Sequence, residues 1–231
     1  MRSEALEKAL APYAAFEDGK RLRAGFTTGT TAAAAALAAA TLLFSGERLE
    51  AVSIRTPVGA VLPIPIESLE LVTEDGVISA VAAVRKDAGD DPDVTDGLLF
   101  YARVGTEESA GTAAAEDTEI PVVFRAGPGI GTVTKPGLDQ PVGEAAINRV
   151  PRNMIAAAVR STYRESGLKS LPDTARIVVT LSCPEGEEKA KKTFNPKLGI
   201  QGGLSILGTE GIVRPMSRRA LIETKIGRAH V

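Results

Sequence analysis

From Leu49 onward apolar and polar residues alternate with a period of two. Val52 and Ile54 are interleaved with Ser53 and Arg55, the pattern of a strand with one buried face. Thr56-Pro57-Val58-Gly59 supplies a turn into a second strand over 60–66. Residues 69–73 and 77–84 flank Glu74-Asp75-Gly76, a hairpin signal. Strands over 98–104 and 120–124 complete a set of six, with 105–119 a polar, acidic loop between them. Helical spacing appears elsewhere. Apolar residues at 6, 9, 10, 13 and 16 predict a helix over 3–16, although Pro12 opposes its second half. Eight alanines and Leu37 fill 32–40 and run on through Thr41-Leu42-Leu43-Phe44; a threonine caps this helix, whose small side chains on every face predict burial. A further helix is predicted over 151–166, with Pro151 in its first turn, then a buried strand over 176–182. Ser217 caps a last helix. The fold class that follows is α+β: a sheet of mainly antiparallel strands, with the alanine helix and the 151–166 helix on one face.

Composition narrows the function. The chain has 231 residues, enough for one large or two small domains. Its 27 basic and 29 acidic groups leave a net charge of −2, which argues against nucleic-acid binding by bulk charge. Aromatics are 4% and Trp is absent, so base-stacking platforms are disfavoured as well. Lone Cys183 and lone His230 leave no disulfide framework, no multi-cysteine metal site and no His-pair zinc site. Residues 27–44 are too weakly hydrophobic for a membrane span, and Glu4, Glu7 and Lys8 interrupt any signal peptide. The expected location is the cytoplasm, without a membrane partner.

Four segments are candidates for chemistry. In Gly25-Phe26-Thr27-Thr28-Gly29-Thr30-Thr31, glycines and hydroxyls meet a helix N-terminus. That arrangement suits either an anion or ordinary capping. Gly127-Pro128-Gly129-Ile130-Gly131 follows a strand, as a dinucleotide loop would, but Thr132 to Pro136 deny it the required helix. Asp87, Asp90, Asp91, Asp93 and Asp96 fail the EF-hand pattern and read as a turn with capping carboxylates, metal binding being the lesser alternative. Arg85 and Lys86 stand just before this cluster, to pair with it or to face a ligand. Cys183 ends a buried strand and reads as a structural thiol. Cations also recur beside glycine and proline turns: Arg55, Arg85, Lys86, Lys135, Arg149, Arg152, Lys197 and Arg214. Such positions suit a small polyanionic ligand.

Taken in order, several runs carry a resemblance. They are residues 23–30 (RAGFTTGT) with the alanine helix, 84–95 (VRKDAGDDPDVT), 131–138 (GTVTKPGL), 143–148 (GEAAIN), 150–152 (VPR), 195–200 (NPKLGI) and 202–217, which opens GGLSILGT and closes VRPMS. Over 22–217 the chain resembles the CbiD family, the cobalt-precorrin-5B C1-methyltransferases of anaerobic cobalamin biosynthesis. The resemblance implies methyl transfer from S-adenosylmethionine to carbon 1 of a cobalt tetrapyrrole, giving cobalt-precorrin-6A. Cobalt then arrives inside the substrate, and no protein metal site is needed. The carboxylate arms of such a substrate suit Arg85, Lys86, Lys135, Arg152, Lys197 and Arg214. The amides and hydroxyls of Thr27, Thr28, Gly29 and Thr30 suit the anionic end of cofactor or substrate. No catalytic residue is implied.

A carrier that binds the tetrapyrrole without chemistry is the alternative. A homo-oligomer and hand-over to neighbouring corrin-pathway enzymes are compatible with either reading. Thr31 stands where family members often have cysteine, and Arg149 where proline is common. The resemblance also implies a second, α/β domain beyond 217. The expected organisation is an N-terminal arm over 1–19, the family domain over 20–217, the start of a truncated domain over 218–225, and a sequencing-adapter artefact over 226–231. On that reading the chain alone is inactive.

Overall fold

The alanine run forms α2 (Thr28–Ser45), the helix on which the rest of the fold is assembled. Alanine has the strongest helix preference and loses no side-chain entropy on folding. Thr27 caps the N-terminus by accepting from the Thr30 amide. Gly46, at φ 72°, ends the helix in a left-handed turn, and its amide donates to the Leu42 carbonyl. Fifteen of the helix residues are buried, so the helix lies inside the protein with no solvent-facing stripe. Its mean hydropathy of 1.4 over 18 residues does reach the level of a membrane span, contrary to the expectation from sequence. Burial within the fold accounts for that apolarity.

The structure is a computed structural model that describes residues 3–108, 119–168, 172 and 174–215. Ahead of α2 come α1 (Glu4–Leu10), a 3-10 turn over Ala11–Tyr13, and the short strands β1 (Ala15–Glu17), β2 (Lys20–Leu22) and β3 (Gly25–Phe26). The helix expected over 3–16 thus stops early. Pro12 takes over in a tight turn and Phe16 enters a strand paired with Arg21. Leu6 and Leu10 are buried in the main core, so the N-terminal arm and the family domain share one interior.

The six expected strands follow as β4 (Ala51–Arg55), β5 (Val61–Pro65), β6 (Ser68–Glu74), β7 (Val77–Arg85), β8 (Leu99–Glu108) and β9 (Val122–Ala126). β8 extends into the segment read as a loop from Gly105. Glu107 binds Arg176 on the adjacent strand and Arg125 of β9, one strand farther, and these contacts hold the extra residues in the sheet. The rest of that segment, 109–118, lies outside the described residues.

After β9 the chain forms β10 (Gly129–Ile130), β11 (Thr132–Val133), α3 (Arg149–Glu165), β12 (Ala175–Ser182), α4 (Gly186–Ala190) and α5 (Asn195–Leu198). Three more two-residue strands close the order: β13 (Ile200–Gln201), β14 (Gly203–Leu204) and β15 (Ile212–Val213). The main sheet has the order β6-β7-β8-β12-β9. Its pairings are antiparallel except β12 with β9, which is parallel. α2 packs on β7 and β8, and α3 packs on α2 and touches β9. Within α3, Pro151, Ile155, Val159 and Thr162 form the buried stripe at helical spacing. A side chain at Gly29 would run into Pro151 and the Leu207 carbonyl, so the start of α2 admits α3 only without one.

Candidate functional site

The glycine-rich loops converge at the N-terminus of α2. β3 pairs with β15, which brings 205–213 across the first turn of the helix. The Gly29 amide donates to the Leu207 carbonyl at 2.8 Å, and the Thr27 amide to Gly211 at 3.1 Å. Thr30 Oγ1 donates to the Gly211 carbonyl, while Thr28 Oγ1 meets both the carbonyl and the amide of Leu207. In the turn expected to hold an anion, over 27–30, the Gly29 and Thr30 amides are engaged inside the fold. Half-buried Thr27 and buried Thr28 face outward from this junction.

That side forms one wall of a cleft of about 420 Å³. The opposite walls are Asp93-Val94-Thr95 and the segment from Thr193 to Gly208, including Phe194, Asn195, Leu198, Ser205 and Leu207. Its size lies within the range of about 300–1,000 Å³ typical of small-molecule sites. Phe194, Leu198 and Leu207 are 73%, 51% and 46% exposed, an apolar group at the cleft. The floor is rigid. Buried Asn195 donates to the Gly203 carbonyl and accepts from Ser205 Oγ, so its amide is held at both ends.

Two of the six expected ligand cations stand near this mouth. Lys197 lies on α5 with its ammonium 5.8 Å from the Phe194 ring centre. Lys135 runs its stem against Gly199, the residue that ends α5, where any side chain would strike it. Among the described residues neither makes an ion pair.

The other four are committed elsewhere. Lys86 takes the first of its two expected alternatives and pairs with the aspartate cluster: its side chain is wholly buried and its ammonium is 3.2 Å from Asp93 Oδ2. Burial pulls the Lys86 pKa down, against the pull of Asp93, Asp96 and Asp87. Arg152 donates to the Ile147 and Ala145 carbonyls and to Glu144, and lies 5.1 Å from the Phe124 ring centre. It ties the first turn of α3 to the preceding loop. Arg85 forms a two-point contact with Glu67 and donates to the Gly97 carbonyl. Arg214 pairs with Glu210 and lies over Tyr13.

The aspartate cluster resolves as capping carboxylates. Asp87 accepts from the Gly89 amide, Asp96 from Ala88, and Asp93 Oδ1 from both the amide and the hydroxyl of Thr95. Asp90 holds Arg23. Among the described residues no group of three or more His, Cys, Asp or Glu is arranged for a metal. The glycines at 127–131 make no dinucleotide loop either. β10 pairs in parallel with β14, and the backbones of Gly129, Gly186 and Gly203 meet too closely for a side chain. Cys183 is buried beside them, and burial pushes its thiol up to about 11.

Sequence reading overlooked Phe194, Leu198 and Leu207. Their signal was present, since large apolar residues inside a lysine- and glycine-rich stretch have no amphipathic face to join.

Comparison with known proteins bears on this cleft. The CbiD family model matches residues 15–215. Cobalt-precorrin-5B C(1)-methyltransferase of Ruminiclostridium cellulolyticum is 46% identical over 208 residues, 90% of this chain and 49% of its own length. The protein of that name from Pseudomonas putida is 48% identical over 201 residues, covering 87% and 50%. The chain spans about half the length of the curated relatives it matches. The 1.9 Å crystal structure of cobalamin biosynthesis protein (cbiD) from Archaeoglobus fulgidus superposes with a TM-score of 0.63 at 33% identity, covering 98% of this chain and 67% of that one.

Proposed function

The chain belongs to the CbiD family, and from that premise we propose that it acts in the S-adenosylmethionine-dependent methylation of carbon 1 of cobalt-precorrin-5B. The observation that carries the reading is the cleft mouth. It combines exposed Phe194, Leu198 and Leu207 with Lys135 and Lys197. A tetrapyrrole has a broad apolar face and a rim of carboxylate arms, and this surface offers a counterpart to each. Burial of the apolar contacts contributes roughly 25 cal/mol per Å². Each charged hydrogen bond to an arm adds about 1.5–3 kcal/mol.

A sulfonium donor supplies an electrophilic methyl group and takes back the electron pair of the broken carbon–sulfur bond. The protein's part is alignment more than acid–base chemistry. Thr27, Thr28 and Ser205 line the cleft with hydroxyls held by Thr30, Leu207 and Asn195, and the Asn195 network fixes its floor. The relatives are named as methyltransferases, which favours the enzyme over a carrier. The cytoplasm remains the proposed location.

The test incubates cobalt-precorrin-5B and S-adenosylmethionine anaerobically with this chain, alone and fused to the remaining half of a relative. Product one methyl group heavier supports the proposal. A spectral shift without product in both samples points to the carrier.

A further inference from the structure

Five hydroxyls line the cleft, on Thr27, Thr28, Thr95, Thr193 and Ser205. Each has one proton to give, and each proton is committed inside the fold. Thr193 donates to the Ala190 carbonyl, Thr28 to that of Leu207, and Thr95 to Asp93 Oδ1. Thr30 gives its own proton to the Gly211 carbonyl, so in the Thr27–Thr30 contact at 3.3 Å the donor is Thr27. Ser205 donates to Asn195 Oδ1, because the Asn195 amide nitrogen faces the Gly203 carbonyl and thereby fixes which end meets Ser205. Asp93 accepts at both oxygens, and buried Lys86 balances its charge. The amides of Thr27, Gly29, Thr30, Thr95 and Leu207 are engaged as well. Of the side-chain donors in the lining, only the second N–H of buried Asn195 is left over. The wall therefore carries no unbalanced charge, yet it is one-sided in hydrogen bonding. Its hydroxyls offer lone pairs and no protons. Thr27, Thr28 and Thr193 already accept from one amide each. Among the described residues nothing donates to Thr95 Oγ1 or Ser205 Oγ, so these two buried oxygens keep the most acceptor capacity.

We infer that the cleft interior is a subsite for a ligand segment that brings its own protons, the ribose diol of a nucleoside, with Thr95 and Ser205 as the accepting residues. The inference rests on the proposed reaction, whose methyl donor contains an adenosine, and names the part of that donor the cleft takes. A ribose carries hydroxyls that donate without bearing charge, which matches a wall of balanced charge rich in acceptors. Val94, Leu204 and Val213 add the apolar contact that an aromatic base needs and a simple polyol does not use. A carboxylate has acceptors alone and would set its oxygens against those of the wall, leaving both sides without a donor. The arms of the macrocycle are therefore left to Lys135 and Lys197 outside. Asn195 is a positioning residue here: by taking the Ser205 proton it leaves that oxygen able only to accept.

The test measures calorimetric affinities of the 231-residue chain for S-adenosylhomocysteine and for its dideoxy analogue, which lacks both ribose hydroxyls. Wild type is expected to prefer the diol by about fivefold, the size of a net hydrogen-bond contribution. Ser205→Ala and Thr95→Val remove the acceptors and should each bring that preference toward unity, with little change in affinity for the dideoxy compound. A merely structural role would lower both affinities together. Ser205→Thr and Thr95→Ser keep the hydroxyl and should keep the preference, with folding of every variant confirmed by circular dichroism. Should neither hydroxyl-free variant fold, the wild-type preference and its survival in these two conservative variants decide. Equal affinities in wild type, no binding of either compound, or a preference that survives in both folded hydroxyl-free variants would overturn the inference. Methyl transfer with no diol preference defeats this inference alone; a preference with no transfer by any form defeats the proposed reaction and leaves the nucleoside subsite standing.

Discussion

Arg23 and Asp90 are joined by four hydrogen bonds. The Asp90 carboxylate accepts from the backbone amide, Nε and Nη2 of Arg23, and the Asp90 amide donates to the Arg23 carbonyl. The connection ties the strand that enters α2 to the aspartate-rich turn, and so fixes two walls of the cleft relative to each other. Gly89, at φ +73°, lies against the Arg23 carbonyl, where a Cβ would collide with the backbone. Both strain and space therefore oppose any side chain there. Gly89→Ala is expected to cost about 2 kcal/mol or more. Asp90→Ala should cost about 1 kcal/mol, because Arg23 is half exposed and solvent screens the pair. Urea unfolding of the two variants checks the order; equal costs would refute the close-approach argument.

Acid should weaken the same region. Hydrogen bonds from Arg23 lower the Asp90 pKa, and Lys86 with Thr95 lowers that of Asp93 in spite of burial. A carboxyl with a depressed folded pKa contributes stability above its unfolded value. That contribution is lost as pH falls through the folded value. Stability should hold down to about pH 4 and then decline. Asp90→Asn should flatten the decline in a thermal-melt series between neutral and acid pH. An unchanged slope would show that these carboxylates are not what acid titrates.

The Cys183 thiol is 1% exposed, and burial pushes it up to about 11. Native protein at pH 8 should react with a thiol reagent at least about a hundredfold more slowly than after unfolding. Fast native labelling would place the thiol at an accessible position.

Of the expected ligand cations, two different outcomes are predicted. Lys135→Ala and Lys197→Ala should each weaken tetrapyrrole binding about ten- to a hundredfold at moderate salt with little change in melting temperature. Arg152→Ala should instead destabilise the fold by about 1–3 kcal/mol, because it takes the guanidinium from the Ile147 carbonyl and leaves the Ala145 carbonyl with the Ile147 amide alone. Absorbance titration and denaturation together separate the two roles.

Periodicity was sufficient for the six strands from β4 to β9 and for the helices α2 and α3. Their signals are local: alternation in Val52 to Arg55, alanine preference after Thr27, the stripe through Ile155 and Val159. The site was only half legible. Residues 23–30 and 84–95 stood out separately, one as an anion turn and the other as a carboxylate cluster. Each proves to be largely the other's partner, through Arg23 with Asp90 and the Phe26 amide with the Asp87 carbonyl. A contact across more than sixty residues leaves no periodic trace. Lys86 left two alternatives open for a related reason: a lysine beside a polar turn looks solvated until the fold closes over it. The helix expected from Ser217 and the adapter-like stretch 226–231 lie outside the described residues.

The alanine helix carries one further consequence. A residue that is small on every side is a spacer, and its width sets how near α3 and the sheet stand to each other. Enlarging Ala35 to Leu has no free volume to use and should cost about 1–3 kcal/mol. A matching trim on a residue of α3 or β8 packed against the helix would restore part of it. Substitutions along α2 are therefore expected to be tolerated as compensating pairs rather than singly, so that this helix and the surfaces around it drift together in sequence or not at all.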